Sequence, residues 1–334
     1  MAAVMLTACG GKDAQKTGAE KSAKGNANGG TTYPLTITHA FGETILENQP
    51  ERIATIGWCN QDVPLALGIV PVGFSEANYG VSDGSGLLPW TADAIKAANS
   101  GTPRIFRDST GLDYEAISES KPDVILASYS GITAEEYSLL SEIAPVVAYK
   151  DQPWQTFWRE QTIMNAEGMG MRGRGEKLVA DLEKLITEKA ADYPALKGKS
   201  AGFLYFMPTD FSKFYVYLPR DPRAAYLTDL GMAHPESVKK LASAESGFAS
   251  LVSAERVDEF SDIDVIVAYG DEKLLAAIKR DPLLGKLPAI RRESVAFIEN
   301  DTALAASATP SALSIPANID AYLKLIGSAA EKAR

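Results

Sequence analysis

The sequence predicts an α/β protein of two Rossmann-like lobes joined by one long rigid helix. Three observations predict it. From Tyr33 onward, short apolar runs alternate with amphipathic stretches, the pattern of βα units and a mainly parallel sheet. Near the middle, Leu178, Val179, Leu182, Leu185 and Ile186 recur at helical spacing in a stretch free of Gly and Pro. Finally, one unit of the first half is echoed in the second. Leu112-Asp-Tyr-Glu115-Ala-Ile-Ser-Glu119 leads into Asp123-Val-Ile-Leu-Ala127, and Val252-Ser-Ala-Glu255-Arg-Val-Asp-Glu259 leads into Asp264-Val-Ile-Val-Ala268.

The size allows two lobes. A chain of 334 residues, 46% hydrophobic and 23% charged, suits a globular protein of about two domains. Its 33 basic and 43 acidic residues leave a formal charge of −10 with no basic run, which argues against nucleic acid as a partner. No stretch approaches the ~18 apolar residues of a spanning helix. With only Cys9 and Cys59 present, a disulfide framework is excluded.

In chain order, residues 1–9 read as the end of a lipoprotein signal, because Leu6-Thr7-Ala8-Cys9 looks like a bacterial lipobox with Cys9 as the acylated residue. The basic region and long apolar core of a signal peptide are missing, so the start is expected to be truncated. Residues 10–32, rich in Gly, Lys, Ala, Asn and Ser, cannot bury enough apolar surface to fold and read as a tether.

Residues 33–170 form the expected N-terminal lobe. Its strand candidates are Arg52–Ile56, Val70–Ser75, Arg104–Phe106, Asp123–Tyr129 and Pro145–Tyr149, with helices near Gln61–Leu67, Thr91–Ala98, Asp113–Glu119, Thr133–Ile143 and Thr156–Ala166. Residues 171–196 hold the connecting helix, Arg174–Asp192, stopped by Pro194 and Gly198. Residues 197–334 form the C-terminal lobe, with strands at Ser200–Phe206, Lys213–Leu218, Asp264–Tyr269 and Val295–Glu299. Its helices are expected near Ala224–Leu230, Ala254–Phe260, Glu272–Lys279 and Ser311–Ile326.

Several segments, in order, carry a family. They are Leu6–Cys9, Pro50-Glu-Arg-Ile-Ala54, Ala66-Leu-Gly68-Ile-Val-Pro-Val-Gly73, Leu87-Leu-Pro-Trp90, Lys121-Pro-Asp-Val-Ile-Leu126, Tyr129-Ser-Gly-Ile132 and Asp221-Pro-Arg223. Together they resemble the iron-complex substrate-binding lipoproteins of ABC importers (the siderophore, haem and vitamin-B12 class), and within it the iron–siderophore branch. The resemblance implies a class III periplasmic-type binding fold with a ligand cleft between the lobes. It also implies a monomeric protein without enzymatic activity or cofactor, lipid-anchored outside the cell membrane through Cys9, whose ligand is a ferric siderophore. Haem and vitamin B12 remain alternatives. In such proteins a Glu on each lobe docks with the permease, and Glu115 and Glu255 fall at the matching positions. Each also stands at a helix start, where a carboxylate is favoured in any case.

A siderophore supplies all the ligands of its iron, so the protein needs no metal ligands of its own. It needs aromatic surface and positive charge, placed at the C-terminal ends of strands where α/β sheets bind ligands. Trp58, Trp90, Tyr129, Ser130, Trp154 and Trp158 are the first-half candidates, and Tyr205, Tyr215, Arg220 and Arg223 those of the second half. Tyr217 shares a strand face with Tyr215, so both are structural if that face is core.

Three other signals carry less. Gly168-Met-Gly170-Met-Arg-Gly173 matches a dinucleotide fingerprint but follows a helix rather than a strand. Gly80-Val-Ser82-Asp-Gly84 matches the serine-hydrolase elbow, which makes a hydrolase using Ser82 the enzyme alternative. The elbow needs a strand running directly into it, and Asn78-Tyr79 intervenes. His39 and His234 are isolated and do not form the cluster a direct metal binder uses.

Overall fold

The computed structural model describes residues 31–99 and 101–333. The lipobox with Cys9, and the tether up to residue 30, lie outside the described residues. The first element is a hairpin of β1 (Leu35–His39) and β2 (Gly42–Leu46), which the apolar-run reading passes over because its strands alternate buried and exposed residues. His39 is buried in it, with Nε2 2.8 Å from the Thr44 hydroxyl, a structural place for that imidazole.

The N-terminal sheet contains β3 (Ile53–Thr55), β4 (Gly73–Ser75), β5 (Arg104–Phe106), β6 (Val124–Ala127) and β7 (Val146–Ala148). The order is β5-β4-β3-β6-β7, every pair parallel. Helices link the strands, as the alternation predicts.

The C-terminal sheet comprises β8 (Ala201–Met207), β9 (Asp210–Tyr217), β10 (Ala249–Ser253), β11 (Val265–Tyr269) and β12 (Val295–Ile298), in the order β10-β9-β8-β11-β12. Here the expectation of βα units needs correction. β9 runs antiparallel to β8, because only Pro208 and Thr209 separate the two, and β10 pairs antiparallel with β9 in turn. A parallel return needs a crossover of a dozen residues or more, and a tight turn can only make a hairpin.

The two sheets repeat one order, so β3 corresponds to β8 and β6 to β11. This gives the sequence echo its physical content. Asp123 accepts the backbone N–H groups of Glu51 and Arg52, just ahead of β3, at 3.0 and 2.9 Å. Asp264 accepts that of Ser200, just ahead of β8, at 2.9 Å. In each lobe the aspartate pins the start of the neighbouring strand. The residues before the echoed glutamates are caps too, with Asp113 accepting from Ala116 N–H and Ser253 from Glu255 N–H.

The connecting helix spans Arg172–Ala191, 20 residues, or about 30 Å at 1.5 Å per residue. It buries Val179, Leu182 and Ile186. The glycine-rich segment Gly168–Gly173 is the break between this helix and the preceding one, Trp158–Gly168. The helix is no bare bar between separate bodies. One apolar core runs from Val124 and Leu126 of the first sheet, through Val179, Leu182 and Ile186, to Phe203, Val265 and the final helix, Ser314–Ala330.

Candidate ligand cavity

A cavity of about 690 Å³ lies between the sheets. Its first wall comes from the chain leaving β3 and β6. Gly57 and Trp58 follow β3, and Tyr129, Ser130, Gly131 and Ile132 follow β6, with Trp154 beside them. Its second wall carries Tyr205 of β8, Tyr217 of β9, Tyr269 of β11 and Arg223. The sites at the ends of β3, β6, β8 and β11 are C-terminal strand ends, the edge where open α/β sheets leave room for ligands.

Buried amides hold the first wall. The Asn60 side-chain N–H donates to the carbonyls of Ile56 (2.7 Å) and Tyr129 (2.9 Å). Asn60 Oδ1 in turn accepts from Ser128 Oγ (3.0 Å) and Asn165 Nδ2 (2.9 Å), and Gln161 Nε2 donates to Trp58 O (3.1 Å). The turn that brings the two loops together requires a glycine. Gly57 has φ of 82°, and a Cβ there would sit 2.7 Å from Tyr129 O.

Arg223 is the one basic residue lining the cavity among the described residues. Its Nε and Nη2 donate to the two Asp221 oxygens at 2.9 and 2.7 Å, and its guanidinium carbon lies 4.1 Å from the Tyr217 ring centroid. Burial opposes its charge, but the Asp221 carboxylate outweighs it and holds the pKa well above the ordinary guanidinium value. Burial also raises the pKa of Tyr129 and Tyr269, so both phenols keep their protons and present neutral rings. Three acids line the same space. Glu76 pairs with Arg107 at 2.6 Å, Asp108 accepts from the Ser75 hydroxyl, and Glu136 accepts from Thr133 N–H at 2.7 Å. The cavity is therefore aromatic and carries no excess positive charge.

Residues 53–302 match the family model described as periplasmic binding protein. The chain belongs to the periplasmic binding protein family. Its members are substrate-binding proteins of transport systems. In structure the chain is similar to PiaA of Streptococcus pneumoniae TIGR4 in complex with ferrichrome, with 51% identity and a TM-score of 0.87, covering 90% of this chain and 100% of that one. A second structure of PiaA, named an iron uptake ABC transporter substrate-binding protein, gives 48% identity and a TM-score of 0.83 at the same coverage. In sequence the chain is 26% identical to the Fe(3+) dicitrate-binding periplasmic protein FecB of Escherichia coli K12 over 279 residues, 80% of this chain and 86% of that one.

Six of the ten ligand-contact candidates line the cavity of this binding protein: Trp58, Tyr129, Ser130, Trp154, Tyr205 and Arg223. The other four lie elsewhere, and three of them are held by a partner distant in sequence. Trp90 is buried with its Nε1 donating to Asp62 Oδ2 at 3.0 Å. Trp158 is 2% exposed and donates to Asp229 Oδ2 at 2.9 Å. Arg220 turns back to the carbonyls of Ala242 and Glu245, at the end of the helix Glu236–Ala244. Tyr215 shares the face of Tyr217 but sits two residues back along β9, about 7 Å from it.

Tyr79, Tyr217, Tyr269 and Asn300 line the cavity without having been singled out as contacts. For Tyr269 a signal existed, since it ends β11 as Tyr129 follows β6. Ser82 is exposed in the loop between β4 and the helix Pro89–Ala98, with no strand running into it, so the hydrolase elbow is not formed. Glu115 and Glu255 are both exposed, in the first turns of helices that lead into β6 and β11, and neither is in an ion pair among the described residues. Glu255 starts a 3₁₀ turn, Ala254–Phe260, where the sequence suggested a short helix.

Proposed function

We propose that this binding protein captures a ferric siderophore in the cavity, outside the cell membrane, and delivers it to an ABC permease. The observation that carries the reading is the aromatic cavity shared by both lobes. The similarity to a protein crystallised with ferrichrome supports it.

Charge narrows the ligand. Three singly charged hydroxamates cancel Fe³⁺, whereas three doubly charged catecholates leave a trianion. One arginine already committed to Asp221, facing Glu76, Asp108 and Glu136, suits the uncharged chelate and opposes the trianion. Exposed Glu115 and Glu255 stand at the strand edge that bears the cavity and serve as the permease contacts, and a lipid on Cys9 tethers the protein to the membrane.

The test is a tryptophan-fluorescence titration with ferrichrome, a ferric tris-catecholate, haem and cobalamin. Trp58 and Trp154 line the cavity, so occupancy quenches them. Saturable quenching by ferrichrome, at least about tenfold tighter than by the catecholate, is expected, a difference of about 1.4 kcal/mol. Tighter binding of the trianion, or of haem, overturns the reading.

A further inference from the structure

We infer that Gly131 is a positioning residue that sets the width of the cavity by seating the Trp154 indole. The inference rests on the siderophore reading of the cavity. Gly131 follows β6 in the loop that leads to the helix Ala134–Ser141. Its backbone does not require glycine, because its φ lies outside the left-handed region. Space requires it instead. A Cβ at 131 would lie 2.2 Å from Trp154 Nε1, 2.6 Å from Cε2 and 2.9 Å from Cζ2. The indole rests directly on this bare Cα.

Trp154 cannot simply back away. Its N–H donates to Ser130 O at 3.0 Å, so its backbone is tied to the residue beside Gly131. Its φ of 61° is a left-handed conformation that a bulky residue rarely adopts, and the surroundings must hold it there. Its ring meets Tyr129 edge-on at 5.4 Å, and 37% of the residue is exposed. A side chain at 131 therefore moves the ring rather than the loop. Because Trp154 and Tyr129 both line the cavity, moving the ring reshapes the surface offered to the ligand. Ligand fit at this wall is thus set by a residue with no side chain.

A double-mutant cycle tests this on the whole protein, with Gly131→Ala, Trp154→Ala and both together, read by ferrichrome affinity from calorimetry. Gly131→Ala is expected to weaken binding about tenfold or more in the wild-type background and by less than about twofold when Trp154 is already absent. The ligand-free near-UV circular dichroism of Gly131→Ala is expected to change while its thermal midpoint holds, a response that a purely structural glycine would not give. Equal losses in both backgrounds, or a Gly131→Ala spectrum like wild type, overturn the assignment. A wild-type protein that binds no ferric siderophore overturns the functional reading, whereas an unchanged ligand-free spectrum removes the Gly131 assignment alone.

Discussion

Asp62 is a fully buried carboxyl group with three hydrogen-bond donors: Trp90 Nε1 at 3.0 Å, Thr91 Oγ1 at 3.3 Å and the hydroxyl of Ser311. Burial pushes its pKa up to about 7, against those hydrogen bonds, which pull it down. The Cys59 thiol beside it is pushed well up by burial and by Asp62, and keeps its proton across the neutral range. Between the ordinary aspartate value and about pH 7 the folded state thus binds a proton that the unfolded chain has released. Stability from this group is complete below the unfolded pKa and is lost as pH rises through about 7, by at most about 4 kcal/mol. Urea denaturation at pH 5 and pH 8 should show wild type losing more stability than Asp62→Asn over that interval. Equal losses would show that the buried acid does not govern this dependence. The same residue marks what was legible at this scale. Trp58, Tyr129 and Tyr205 could be found because strand ends are visible in sequence and open α/β sheets bind ligands there. Trp90 and Arg220 could not, because the groups that claim them, Asp62 and the carbonyls of Ala242 and Glu245, become neighbours only after folding.

At the scale of elements, periodicity located most strands of both sheets and the long helix, whose observed bounds differ from the expected ones by two residues at one end and one at the other. It placed no strand at β10, Ala249–Ser253, and it took β9 for part of a mainly parallel sheet, although a physical rule that spacing already contained decides that direction. The six residues left between the expected strands Ser200–Phe206 and Lys213–Leu218 were too few for a parallel crossover, so the antiparallel β9 was readable from loop length alone. The echoed units lead into β6 and β11, which hold equivalent places in the two sheets, and their aspartates pin strand starts, a role that only hydrogen-bond geometry reveals. The second glutamate of each unit is in an ion pair, Glu119 with Arg104 and Glu259 with Arg256, but the first has no such internal work. Glu115 and Glu255 are exposed at equivalent places, and changing them should leave the core and the cavity intact. The double variant Glu115→Ala with Glu255→Ala is expected to bind ferrichrome within about twofold of wild type while cellular iron–siderophore uptake falls about tenfold or more. Undiminished uptake at wild-type protein levels would remove these residues from the docking surface.

At the scale of the whole molecule, the long helix is only one of several fastenings between the sheets. Tyr79 Oη donates to Asn300 Oδ1 at 2.9 Å, and Gly80 N–H to Asp301 Oδ1 at 2.7 Å. Ser311 reaches Asp62 across 249 positions of sequence. On another side, Trp158 Nε1 and Arg159 both donate to Asp229 at 2.9 Å. An apolar seam of Cys59, Leu88, Trp90 and Ala306 closes beside the cavity. Two lobes and a strut were legible in sequence because each is locally periodic. The seam was not, because its partners lie hundreds of residues apart. The consequence is mechanical. Opening the cleft widely would expose that apolar seam and break the bonds across it, such as Ser311 to Asp62, each worth about 0.5–1.5 kcal/mol, so the ligand meets a cavity already formed. Small-angle scattering should therefore give radii of gyration for the ligand-free and ferrichrome-loaded protein within about 0.5 Å of each other, the scale of change in pre-organised complexes. Asp301→Ala combined with Asp229→Asn cuts two of the fastenings without touching the cavity lining, and should enlarge the ligand-free radius while leaving the loaded one nearer wild type. A wild-type protein that contracts by several ångströms on loading would mean that the seam yields in solution and that the ligand, rather than the fold, brings the walls together.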